Sequence, residues 1–125
     1  MSFRGWGPKL NGIFSLSVTN ALATCEPTVA PYFAAGGDQA KVSNSGPAPV
    51  AIAFYSRSGG TPALAFPTPG NAGESVSGRS DCFITIVLGN SEKQVSIPLG
   101  ADSFCAISNT ATAQTVFVQR GDGVS

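Results

Sequence analysis

A chain of 125 residues is long enough for one domain with a real core and too short for two. Charged residues are 11% of it, against about 25% in ordinary domains, and seven Lys/Arg balance seven Asp/Glu. With no basic excess there is nothing to neutralise a phosphate backbone, which excludes nucleic-acid binding, and no apolar run approaches the ~18 residues of a membrane-spanning helix.

The first twelve residues, MSFRGWGPKLNG, lack strand alternation and contain no hydrophobic stretch of the kind a secretory signal needs. They hold the only tryptophan, and residues 1–12 are expected to form an arm extending from the body of the protein. Phe3, Arg4 and Trp6 are its candidate partner contacts, because Trp and Arg concentrate interface energy. Trp6 has a second reading, as a cover folded over an open end of its own core.

From residue 13 onward the pattern is that of strands. GIFSLSVT alternates, with Phe14, Leu16 and Val18 on one side and Ser15, Ser17 and Thr19 on the other. KVSNS is short and ends in a turn at Asn44–Gly46. PVAIAFYS sets Val50, Ile52 and Phe54 against the small Ala51 and Ala53. The segment from Ser56 to Ser80 is rich in Gly, Pro, Ser and Thr, with one irregular strand expected around ALAFP; a loop so long in a compact domain is uncommon unless it does something. CFITIVL is the most apolar run and reads as a central strand, joined by GNSEK as a hairpin to QVSIPL. DSFCAIS and QTVFVQ complete the set. Fifteen Gly and nine Pro, spread throughout, break any helical periodicity. About seven or eight short strands at near-regular spacing predict an all-β fold, an antiparallel β-sandwich or barrel, with 13–125 as a single domain.

Chemistry has little to work with. The absence of histidine removes the commonest general base and the commonest metal ligand. The acids Glu26, Asp38, Glu74, Asp81, Glu92, Asp102 and Asp122 are scattered, mostly in expected turns. No catalytic residues, no metal site and no cofactor are expected, and the chain reads as a non-enzyme. Cys25, Cys82 and Cys105 are odd in number and match no zinc or redox spacing, which fits folding in a reducing cytoplasm. Cys82 and Cys105 read as small buried hydrophobes, with a Cys82–Cys105 pairing across strands as the alternative. A glycan-binding module would draw on Tyr32 and Phe33 near Asp38, or on Tyr55 with Arg57; the plainer reading of Tyr55 is a strand residue at the end of the sandwich with its hydroxyl in water. Arg120, Gly121 and Asp122 spell an adhesion tripeptide, but they follow the last strand with no loop to display them, so the match reads as coincidence.

From Gln39 to Asp122 the chain resembles small structural proteins of tailed bacteriophages. Asn44, Pro98, Gly100, Ala106, Ile107, Thr110, Ala111, Arg120, Gly121 and Gly123 carry the match, in a strand ending in Asn, a Pro-x-Gly turn, a Thr-Ala turn and an Arg-Gly-acid-Gly tail. The resemblance implies a virion protein of the capsid decoration (cement) type, an antiparallel β-sandwich that is jelly-roll-like, made in the host cytoplasm and placed on the capsid surface. Its partners would be the major capsid protein and further copies of itself, as dimer or trimer. A tail, neck or fibre component is the alternative within the same class, and a glycan-binding surface module the alternative outside it.

Overall fold

The computed structural model describes residues 7–21, 24–26, 39–56, 64–67, 69, 83–98 and 101–122. These hold eight strands: β1 (Gly7–Val18), β2 (Thr24–Glu26), β3 (Gln39–Asn44), β4 (Val50–Tyr55), β5 (Phe83–Val87), β6 (Ser91–Ser96), β7 (Ser103–Ser108) and β8 (Gln114–Asp122). They form two four-stranded sheets, one in the order β1-β8-β3-β6 and the other β2-β7-β4-β5. Every observed pairing is antiparallel.

The pairing follows one rule. β1 lies against β8, β2 against β7, β3 against β6 and β4 against β5, as in one long hairpin closed from its ends inward. Rolling that hairpin puts successive pairs in opposite sheets, and β3–β8 and β4–β7 ladders then seal each sheet. This is a jelly-roll sandwich; the strand pattern predicts two antiparallel layers and does not by itself separate a sandwich from a barrel.

The alternation expected from sequence sets the layers. Phe14, Leu16 and Val18 on β1, Ala40 and Val42 on β3, and Val116 and Val118 on β8 face inward from the first sheet. Val50, Ile52 and Phe54 on β4, Val87 on β5, and Phe104 and Ala106 on β7 meet them from the second. Phe104 sits at the centre, edge-on to Phe14 with ring centroids 5.6 Å apart and tilted against Phe54 at 6.1 Å. Each such aromatic pair is worth about 0.5–1.5 kcal/mol beyond the area it buries.

A second apolar cluster lies outside this core. Ala51, Ala53 and Tyr55 on β4, Cys105 and Ile107 on β7, and Ile84 and Ile86 on β5 face away from the first sheet, and Leu64 and Phe66 pack over them. Every residue of VAIAFY and SFCAIS is consequently buried, as expected of strands covered on both faces. The long segment after β4 thus has a structural use: its residues around 64–67 cover the outer surface of the second sheet, where the small Ala51 and Ala53 leave room.

Four expectations need correction. CFITIVL is not central: β5 is the edge strand of its sheet, apolar because the second cluster covers its Ile84 and Ile86 side chains. GNSEK is not a hairpin between paired strands: β5 and β6 belong to different sheets, and the turn carries the chain across the sandwich, with Asn90 in the left-handed region and its N–H donating to Gly46 O at 2.8 Å. Cys105 is buried as expected but is disulfide-bonded to Cys25, which replaces the alternative Cys82–Cys105 pairing. Pattern does not reveal this partner because β2 is three residues long and carries no alternation; its register with β7 sets Cys25 opposite Cys105. Finally, β1 begins at Gly7, within the segment 1–12 expected to be an arm, and a register shift between Pro8 and Ile13 bulges it against β8.

Candidate interaction surfaces

The inward rows of β3 and β8, both in the first sheet, end in polar side chains that close the sandwich. Asn44 follows Ala40 and Val42 on the core side of β3; Gln114 precedes Val116 and Val118 on β8. Asn44 Nδ2 donates to Ala48 O at 2.8 Å and to Val87 O and Leu88 O at 3.4 Å, while its Oδ1 accepts from Gly46 N–H at 3.0 Å. Gln114 Oε1 accepts from Ala48 N–H at 3.1 Å and its Nε2 donates to Thr112 O at 2.9 Å. These two buried amides tie together the turns at 45–49, 88–90 and 109–113. Two glycines make the approach possible: a Cβ on Gly46 would strike the Gln114 amide, and one on Gly89 would strike the Pro47 carbonyl. Ser108 N–H reaches Thr19 O at 3.0 Å, drawing in the turn after β1 as well. This end is a closed hydrogen-bonded surface.

At the opposite end Arg120 takes the equivalent place. It is 8% exposed, and its Nη1 donates to Ala101 O at 3.1 Å. Gly121 is paired on both sides, with Pro8 of β1 and Gln39 of β3, and the strand runs on through Asp122. Arg120–Asp122 therefore lies within a sheet, its arginine turned to the core, in a geometry that presents no adhesion loop.

The glycan candidates divide in the same way. Tyr55 is 3% exposed and sits in the second apolar cluster, so it offers no open aromatic platform, and its hydroxyl is not at a wet end of the sandwich. Tyr32, Phe33, Asp38 and Arg57 lie outside the described residues, as do the arm candidates Phe3, Arg4 and Trp6 and also Cys82. Among carboxylates with described side chains, Glu92 accepts from Ser43 Oγ at 3.1 Å on the outside of the first sheet, and Asp102 accepts from Ser103 Oγ at 3.3 Å at the start of β7. Among the described residues no three metal-binding side chains converge.

The surfaces left are faces and edges. The outer face of the second sheet is covered by the chain itself, whereas that of the first is a lawn of Ser, Thr, Gln and a few charges. In it Ile13 and Phe117 stand 64% and 44% exposed, at diagonal positions on β1 and β8 within reach of one another. Leu88, just past β5, is 66% exposed. Periodicity alone misses all three: it marks which side a residue faces but not which sheet face the rest of the chain covers.

No protein-family profile matches the chain, and no curated protein is similar to it. Among solved structures it is similar, at a TM-score of 0.46 and 16% identity over 90% of this chain and 84% of the other, to one described under the words "Bacillus endospore appendages form a novel family of disulfide-linked pili". A likeness of that size carries neither a family nor a function.

Proposed function

We propose that this chain is a non-enzymatic structural subunit, one copy among many in a protein assembly, and that the assembly is the virion of a tailed bacteriophage, with the chain as a capsid decoration protein. The observation that carries the reading is the character of its surface. A neutral chain with few charges leaves Ile13, Phe117 and Leu88 in water on otherwise polar ground. Exposed apolar side chains on a surface with little charge to keep copies apart favour association. Jelly rolls recur in capsid proteins, which suits this role without establishing it. The Cys25–Cys105 bond suits a protein that acts outside its host, where disulfides persist.

In this role each copy buries apolar surface against neighbours, and many weak repeated contacts add up through multivalency. Phe3, Arg4 and Trp6 remain the contacts assigned from sequence to the major capsid protein. The test is co-sedimentation of the purified chain with expanded heads of the phage that encodes it, alongside sedimentation of the chain alone from micromolar to near-millimolar concentration. Saturable head binding supports the decoration role. Self-association without head binding points to a tail, neck or fibre part, and a solitary monomer that ignores heads sinks the proposal.

A further inference from the structure

Among the described residues the two sheets have four edge strands, and three are protected in recognisable ways. β1 is bulged and carries Pro8. β2 has three residues and is stapled through Cys25 to Cys105. β6 carries Glu92 and Lys93. Bulges, proline, short length and charge are the devices that keep sheet edges from pairing with another chain. β5, Phe83–Val87, has none of them: FITIV contains no charge, glycine or proline, and its ladder with β4 runs without a register shift.

Its outward backbone groups can be identified. Tyr55 O accepts from Asp102 N–H on the β7 side of β4. Alternation along β4 then turns the N–H and C=O groups of Phe54, Ile52 and Val50 toward β5, so those of Phe83, Thr85 and Val87 point back at β4. The N–H and C=O groups of Ile84 and Ile86 are left pointing outward. Lys93 agrees with this assignment: its Nζ reaches over from β6 to donate to Ile86 O at 3.4 Å and to Thr85 Oγ1 at 2.8 Å. One lysine from the opposite sheet is thus the edge's only described guard.

From this we infer that β5 is an interface between two copies of this chain, which pair β5 to β5 antiparallel about a two-fold axis at Thr85. The inference rests on the self-association proposed above. The occupant is a second copy because the strand is nearly palindromic. Centred on Thr85, residue 83 falls opposite Val87 in register and Ile84 opposite Ile86, so the strand FITIV reads almost the same in both directions, and Ile84 meets Ile86 on the outer face. The same register brings the outward Ile84 and Ile86 groups together as hydrogen-bonded pairs, two across each, and leaves Thr85 facing Thr85 as the close, non-hydrogen-bonded pair. Two four-stranded sheets become one of eight, and the apolar cluster over Ile84 and Ile86 becomes continuous between copies. Lys93 opposes the pairing, since its ammonium must leave Ile86 O and approach its symmetry mate.

The test uses the full chain. Thr85→Lys sets like charges opposite each other at the axis and is expected to weaken dimerisation about tenfold or more, read by sedimentation equilibrium. Lys93→Ala is expected to strengthen it about threefold. Independently of whether Thr85→Lys folds, Thr85→Cys with Cys82→Ser is expected to cross-link into a dimer under oxidised glutathione, while Ser43→Cys with Cys82→Ser, on the outer face of the other sheet, is not. If Thr85→Lys is folded by circular dichroism yet dimerises like the parent, or if Thr85→Cys fails to cross-link while the parent self-associates, the β5 interface is wrong and the structural-subunit reading stands. If the parent never self-associates and Thr85→Cys does not cross-link, the β5 interface falls, and the structural-subunit reading falls with it only when the chain also fails to bind heads.

Discussion

Reduction of Cys25–Cys105 tests the largest single constraint on the fold. The two residues are 80 apart in sequence, so the bond closes almost two-thirds of the chain into a loop. In the chain-entropy treatment a loop of that length removes about 15 cal/mol/K from the unfolded ensemble, or about 4.5 kcal/mol at 25 °C. Domains of this size have a total stability of only about 6–19 kcal/mol, so the bond accounts for a large share. Little else among the described residues can replace it, because β2 is joined to β7 by only three residue pairs. Guanidinium unfolding followed by far-UV circular dichroism, with and without a phosphine reductant, reads the effect directly. With a slope of about 3–4 kcal/mol/M the midpoint falls by about 1–1.5 M on reduction, and the slope itself rises because the reduced unfolded chain exposes more surface. Alkylation of the chemically unfolded, unreduced protein leaves Cys25 and Cys105 unmodified. A loss of stability below about 1 kcal/mol, or three alkylated cysteines in the unreduced protein, refutes the reasoning.

Two further predictions concern packing. Asn44→Ala strands the Gly46 N–H and the Ala48 carbonyl at the closed end, and is expected to cost about 2–4 kcal/mol, with faster amide exchange at 45–49 and 88–90; a change under about 0.5 kcal/mol would mean the amide is not organising those turns. Leu64→Ala, in the cover of the second sheet, is expected to cost about 2–3 kcal/mol, whereas Phe117→Ala, on the open face, stays within about 0.5 kcal/mol. Equal effects in chemical denaturation would show that the cover is not part of the cooperative unit.

Much of the architecture is legible in local pattern, because an antiparallel sandwich writes its layers into the chain with a period of two. The alternation of Phe14, Leu16 and Val18, and of Val50, Ile52 and Phe54 against Ala51 and Ala53, suffices to name the core side of β1 and β4. Charge and the lack of histidine narrow the function classes in the same way, since they depend on composition and not on placement.

Neighbourhood cannot be read from the chain. Period two tells a strand which residues share a face, but neither which strands lie beside it nor what lies above it. CFITIVL, apolar on both faces, therefore has the pattern of a central strand although it is an edge beneath the chain's own cover, and GNSEK has that of a hairpin although it crosses between sheets. Cys25 meets Cys105 across 80 residues through a three-residue strand too short to announce itself. Which sheet face carries Ile13 and Phe117, and which edge turns the backbone groups of Ile84 and Ile86 outward, follow from long-range pairing between segments that have no signal in common. Composition and periodicity are local sums and decided the fold class; contacts between distant segments decided the surfaces through which such a protein would act.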